Sequence, residues 1–422
     1  MEMSLDGERP GPGRCSNMSA SRMASLRRRA WVIPVLSAVL ALSACGGGSL
    51  GGSGGSGGGG GAASGPVKIG LSVPKSGVYA SLGRDMEQGF KLYLNQKGNK
   101  LGGKDITLVE TDEGSGPQTG VPATEKLITQ DQVSAVAGIV NSATAAGLKK
   151  TFVESKVPLV VANAGADGLT TPPSDYIWRT SFKNSDPGRA YGKKVKEELG
   201  DGSVYLLGAD YASGKEHLAG FKESFTAAGG QIVGEDYTPF GTTTDWQPYL
   251  NKVRTSGAKA VFVFYAGAEA VNFVKQYKQF LAGDGIQLLS FGDLTEGTAL
   301  EAEGAAADGL KTVLHYSDQL DNPANQAFVK AYADAYGGAT PTAFSVQAYD
   351  AAAVLDKALA AADGTSGEAI GKALGTVSQV DSPRGTWKFT ANHDPDQTFY
   401  ERQVVTRNGK FVNTVLGTVS AS

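Results

Sequence analysis

Cysteine, histidine and clustered acids carry most protein chemistry, and this chain keeps them few and apart. It has two cysteines, Cys15 and Cys45, both upstream of the stretch with globular composition. The body therefore has no disulfide framework and no thiolate metal site. Its three histidines, His217, His315 and His393, are widely separated, which argues against zinc chemistry or a histidine-centred catalytic site. His-Glu-x-x-His does not occur, and Gly371-Lys372 lacks both the earlier glycine (Ser366 stands there) and the following Ser or Thr of a phosphate loop. Glu197-Glu198 falls in a helical stretch and reads as solvated surface. These residues predict no enzyme, no metal and no cofactor.

The one cysteine in a reactive setting is Cys45. Arg27-Arg28-Arg29 precede an apolar run from Ala30 to Leu42, and Leu42-Ser43-Ala44-Cys45 closes it. A basic start, a short apolar core and small residues before a cut are the parts of an export signal. Thirteen apolar-run residues are too few for a comfortable membrane span. Leu-Ser-Ala-Cys resembles the bacterial lipobox, which implies lipidation at Cys45 and anchoring to the outer side of the cell membrane. Residues 1–44 are thus expected to be a signal peptide with a dispensable extension, for which Met23 offers a more compact start. The tract 45–65 is almost all Gly and Ser. It has nothing to bury against the entropy of ordering, and as a flexible coil it spans about 25 Å.

The whole chain has 422 residues, 41% hydrophobic and 19% charged, a globular balance long enough for two cores. Setting aside the six arginines and three acids upstream of Cys45 leaves 33 basic and 39 acidic side chains, a formal charge of −6. Without a basic stripe, nucleic-acid binding is not expected.

The elements that must position any site alternate from Val67 onward. Val67–Val73, bounded by Pro66 and Pro74, predicts a strand. A helix follows over about Leu82–Gln96, with Met86, Phe90, Leu92 and Leu94 as apolar positions. Strands at 106–109, 135–140, 158–161 and 175–179 are interleaved with helices at 122–130, with Pro122 near its start, and 143–154. The scheme repeats with helices near 188–199, 215–228, 246–255 and 268–280 and strands at 204–207, 231–237, 260–265 and 286–291. Further helices are predicted at 323–336 and 345–362, then a hairpin over 400–416 turning at Asn408-Gly409. Such alternation predicts an α/β protein of two doubly wound parallel-sheet lobes, each with its binding edge at the carboxyl ends of its strands.

Several segments carry a resemblance in their order and spacing: Pro74–Gly83, Leu101-Gly102-Gly103-Lys104, Val157–Val160, Trp178-Arg179-Thr180, Asp210–Gly214, Thr243–Trp246 and Ser382–Gly385. From Val67 to Thr418 the chain resembles the leucine-binding family of type I periplasmic binding proteins. The resemblance implies a ligand held between two lobes joined by a three-stranded hinge, with crossings near Lys183–Gly188, His315–Gln319 and Val380–Arg384. Lobe 1 is expected over 66–183 and 316–380, and lobe 2 over 187–314 and 384–422.

Carried over residue by residue, the resemblance places Ser76 and Tyr79 in the first loop. It places Asn141 and Ser142 where hydroxyls receive a ligand carboxylate, and Ser142 also suits a helix start, which favours anions. Asn163-Ala164-Gly165 occupies the site of an Ala-Ala-Thr in amino-acid binders, so Gly165 departs from the family threonine. Tyr211 and Tyr265 are expected to cover the ligand, and Asp293, with Glu296 as rival, to meet an amino group. Arg384 suits an anionic ligand or a hinge salt bridge.

The implied function is capture of an amino acid, branched-chain or otherwise hydrophobic, for the permease subunits of an ABC importer, by a monomer without cofactor. Thr243–Trp246 and Ser382–Gly385 also recur in relatives that bind aromatic or other carboxylic acids, which keeps that ligand class open. A sensor that reports to a receptor is the alternative of another class.

Overall fold

In the computed structural model, residues 65–420 are described. The expected signal segment 1–44, Cys45 and all of the Gly/Ser tract except Gly65 lie outside them.

Two large sheets form the body. The first contains β1 (Val67–Val73), β2 (Lys100–Leu101), β3 (Lys104–Asp112), β4 (Ala135–Gly138), β5 (Leu159–Val161) and β6 (Ile177–Arg179). Their order is β2-β3-β1-β4-β5-β6, parallel except for β2 against β3. The second contains β7 (Val204–Ala209), β8 (Ile232–Thr238), β9 (Ala260–Phe264), β10 (Gln287–Phe291) and β11 (Lys311–Leu314). A small hairpin of β12 (Lys388–Phe389) and β13 (Pro395–Asp396) intervenes before β14 (Phe399–Arg407) and β15 (Lys410–Val419) complete the second sheet. Its order is β15-β14-β11-β10-β9-β7-β8, parallel from β8 to β11 and antiparallel beyond.

Alternation along each strand divides its side chains between two cores. Ala135 and Ala137 join one cluster and Val136 the opposite one; Phe262 and Phe264 face one side of the second sheet, Val261 and Val263 the other. Helices cover these faces: α1 (Ala80–Gln96), α2 (Pro117–Thr129), α3 (Ser142–Ser155), α4 (Ser185–Leu199), α5 (Ala212–Ala227), α6 (Gln247–Thr255) and α7 (Gly267–Phe280). They are followed by α8 (Thr298–Glu303), α9 (Pro323–Ala335), α10 (Ala343–Ala361) and α11 (Gly367–Leu374). Among the described residues no helix is long and apolar enough to cross a membrane.

Each sheet reverses its winding once, between β1 and β4 in the first lobe and between β7 and β9 in the second. Loops diverge at such a switch point and leave a crevice at the carboxyl edge. The loops entering α1, α3, α5 and α7 flank these two crevices.

Two expectations are corrected. The helix expected from Pro122 starts at Pro117, which fills the first position where a missing N–H costs nothing, and Pro122 sits inside it. The last crossing comes later than Val380–Arg384. Val380 bridges Trp387, whose ring is in the first lobe's core, and His393 stacks on Trp178 at 3.5 Å. Asp394 pairs with buried Arg179 at 2.7 Å, so 384–396 pack on the first lobe and the chain leaves it just before β14. Arg384, for which a ligand or a hinge partner was expected, is ion-paired to Asp350 at 2.9 Å.

Candidate functional site

The two crevices face each other and enclose a small, tightly closed cavity. From the first lobe come Tyr79 and Leu82 at the start of α1, Val140 and Ser142 at the start of α3, and Asn163 and Gly165 after β5. Phe182 and Asn184 come from the first crossing. The second lobe supplies Tyr211, Ser213 and His217 at the start of α5, Phe264 and Ala266 between β9 and α7, and Asp293 after β10.

The α3 end is built to receive negative charge. Asn141 caps the helix, its Oδ1 accepting from the N–H groups of Ala143 (2.9 Å) and Thr144 (3.1 Å). Below it, buried Glu113 accepts from the N–H groups of Val140 (2.7 Å) and Asn141 (2.8 Å) and so holds the loop, although burial pushes its carboxyl up to about 8. Ser142, the first residue of the helix, is left facing the cavity where the helix dipole is positive.

A chain of hydrogen bonds runs from Ser142 across the hinge into the second lobe. Asn184 Nδ2 donates to Ser142 Oγ (3.2 Å) and to Glu216 Oε2 (2.7 Å). Ser213 Oγ donates to Asn184 Oδ1 (3.2 Å). His217 Nδ1 lies 2.7 Å from the Ser213 carbonyl oxygen and 3.3 Å from Ser213 Oγ. A carbonyl only accepts, so the imidazole proton is on Nδ1. Burial keeps the ring neutral, lowering its pKa to about 3. Each link then donates toward Ser142, and Ser142 spends a lone pair on Asn184, leaving its O–H free to donate into the cavity.

The same chain explains the departure at Gly165. A Cβ on this residue would lie 2.0 Å from Asn184 Oδ1, and the Gly165 carbonyl accepts from the Asn184 N–H at 2.7 Å. The family threonine is thus sterically incompatible with an asparagine in this position.

Aromatic rings make the walls. Tyr79 and Tyr211, one from each lobe, share a hydroxyl–hydroxyl hydrogen bond of 2.7 Å. Phe240 stacks on Tyr211 at 4.3 Å, and Glu269 holds the neighbouring Gly241 N–H at 2.8 Å. Phe264 stacks on His217 at 4.0 Å, and Phe182 packs edge-on against Phe291. Asp293 is buried, its Oδ1 without a partner. Burial drives its carboxyl well above the usual carboxylate range, with Glu296 adding to the shift and Arg402 opposing it. The rival acid Glu296 is engaged by Arg402 and by the N–H of Ala343.

Of the residues expected at the site, Tyr79, Ser142, Asn163, Gly165, Tyr211 and Asp293 line this cavity. Four do not. Ser76 is exposed and donates to Asp112 (2.7 Å), facing an outer hollow at the cleft mouth, which Asn141 also borders. Ala164 is buried beneath the loop. Tyr265 turns away into the packing of Trp246 and Phe273, because side chains alternate at the end of β9 and its neighbour Phe264 takes the cavity side. Leu82, Val140, Phe182, Asn184, Ser213, His217, Phe264 and Ala266 were not expected. Of these, His217 had a usable signal, lying one helical turn from Ser213.

The family model described as periplasmic binding protein matches residues 66–410. The chain belongs to the periplasmic binding protein family. It is similar to the Leu/Ile/Val-binding protein homolog 6 of Brucella melitensis, 32% identical over 349 residues, 80% of this chain and 87% of the relative. Among solved structures it is similar to an R. palustris ABC transporter solute-binding protein in complex with benzoate. That match is 37% identical with a TM-score of 0.78, covering 85% of this chain and 98% of the other. A second R. palustris solute-binding protein, in complex with 4-hydroxybenzoate, is 30% identical with a TM-score of 0.77, covering 84% and 97%. This family member is a solute-binding protein of an ABC transporter, an extracytoplasmic role, and not an enzyme.

Proposed function

We propose that the protein captures a small aromatic monocarboxylate of the benzoate type and delivers it to the permease of its transporter. The observation that carries this reading is the polarity of the cavity. Its Ser142 end can donate to an anion, its walls are the rings of Tyr79, Phe182, Tyr211 and Phe264, and burial disfavours the charged form of its one lining carboxyl, Asp293. The benzoate complex of the 37% identical relative supports the same class. Titration calorimetry of the purified protein with benzoate, leucine, isoleucine and phenylalanine tests it, and binding of the amino acids without benzoate overturns it.

A hydrophobic α-amino acid is the second reading, favoured by the unpartnered Oδ1 of Asp293. An ammonium group beside it would favour the ionised carboxylate, which releases its proton to solvent on binding, and would pair with the buried charge. Asp293→Asn separates the two: it abolishes amino-acid binding and leaves benzoate binding in place.

We propose in addition that Cys45 is lipidated and tethers a monomeric body to the outer face of the cell membrane. Replacing it by alanine then releases the protein from the membrane fraction.

A further inference from the structure

The hydrogen-bond chain that ends at Ser142 has a second end. With its proton on Nδ1, facing Ser213, His217 presents a bare Nε2 lone pair from the other edge of the ring. His217 lines the cavity at 1% exposure, and its Nε2 has no hydrogen-bond partner. Around the ring stand Phe264 at 4.0 Å, Phe291 at 4.4 Å and Phe182 at 5.9 Å, none of which can donate. The Asn184 amide cannot be turned to reverse the chain, because its Nδ2 faces Glu216 Oε2, which also accepts from the Asp167 N–H (3.3 Å). The cavity is thus asymmetric, donating at Ser142 and accepting at His217.

We infer that His217 Nε2 is a specificity-determining acceptor for a hydroxyl on the ligand ring, and that the preferred ligand is a hydroxybenzoate rather than benzoate itself. This inference rests on the aromatic-acid reading and sharpens it. A buried acceptor left bare carries a desolvation cost that a ligand hydroxyl removes and an unsubstituted ring does not.

The test is calorimetric titration of the purified protein with benzoate, 3-hydroxybenzoate and 4-hydroxybenzoate, repeated on His217→Phe. The expected result is that at least one hydroxybenzoate binds the unsubstituted protein about tenfold or more tighter than benzoate. In His217→Phe that advantage collapses: the ratio of hydroxybenzoate to benzoate affinity falls toward one, whatever loss all three ligands share. Equal affinity for all three in the unsubstituted protein overturns the inference and spares the aromatic-acid reading. Equal weakening of all three in the variant also overturns it, by assigning His217 a packing role. Binding of none by the unsubstituted protein sinks the aromatic-acid reading and this inference with it. Should the variant not fold, nitrogen-15 resonances of the unsubstituted protein decide. The Nε2 signal shifts upfield with the hydroxybenzoate and not with benzoate, and an unmoved signal overturns the proposal.

Discussion

After Asn184 has donated to its oxygen, Ser142 still has its O–H to donate, and Ser142 lines the cavity. A hydrogen bond to a carboxylate contributes about 1.5–3 kcal/mol. Ser142→Ala should therefore weaken benzoate binding about ten- to a hundredfold, with little change in melting temperature; calorimetry alongside a thermal melt checks both. Gly165→Thr puts a Cβ 2.0 Å from Asn184 Oδ1 and displaces the middle link of the chain. Restoring the family residue should thus cost binding about tenfold or more, and a threonine variant that binds as well as the glycine protein would refute that account. At this scale the sequence was informative where backbone position determines the role. Ser142 follows from its place at a helix start; for His217 the sequence shows only its one-turn spacing from Ser213, while packing decides that its Nε2 is left without a partner.

At the scale of elements, α8 carries a cost. Glu303 is 4% exposed, and neither carboxylate oxygen has a hydrogen-bond partner. Burial pushes its carboxyl up to about 9, against an ordinary 4.5, with only a distant Lys275 opposing. The folded chain keeps this proton up to about pH 9 while the unfolded chain releases it near 4.5, so folding binds a proton between those values. Stability is highest below the lower value and falls as pH rises toward the upper one. Glu303→Gln should flatten that decline and raise stability at pH 8 by on the order of 2 kcal/mol, read from denaturant melts at pH 5 and 8. Strands and helices were largely legible, because β-branched runs and apolar periodicity report local burial. The start of α2 and the late exit from the first lobe were not. Pro117 and Pro122 offer two starts that only packing separates, and the 384–396 segment is held by Trp178 and Arg179, more than 200 residues earlier.

For the whole molecule, the Tyr79–Tyr211 hydrogen bond joins the lobes directly over the cavity. If the lobes open and close by population shift, a contact made only when closed raises the closed fraction for every ligand alike. Tyr211→Phe keeps the ring against Phe240 and removes the bond. It should lower affinity for all ligands by one common factor of about three- to tenfold and raise the radius of gyration of the free protein in X-ray scattering. A factor that differs between ligands would assign the hydroxyl to recognition instead. Ligand at 100 times its dissociation constant should add about 2.7 kcal/mol to stability, a clear rise in melting temperature that ranks acids quickly.

The sequence by itself determined the α/β alternation, the two lobes and the loops that border the cleft, because these follow from local burial patterns and from the order of elements along the chain. It also placed Ser142 at the start of α3, since helix ends are local features. Only the tertiary structure decided which neighbours of those loops face the ligand. Phe264 and not Tyr265 looks inward because of the register of β9, and Glu296 is withdrawn from the cavity by Arg402, 106 residues away. Gly165, Asn184, Ser213 and His217 acquire a joint role through contacts between segments distant in sequence, and the direction of a hydrogen-bond chain exists only once its members have been brought together.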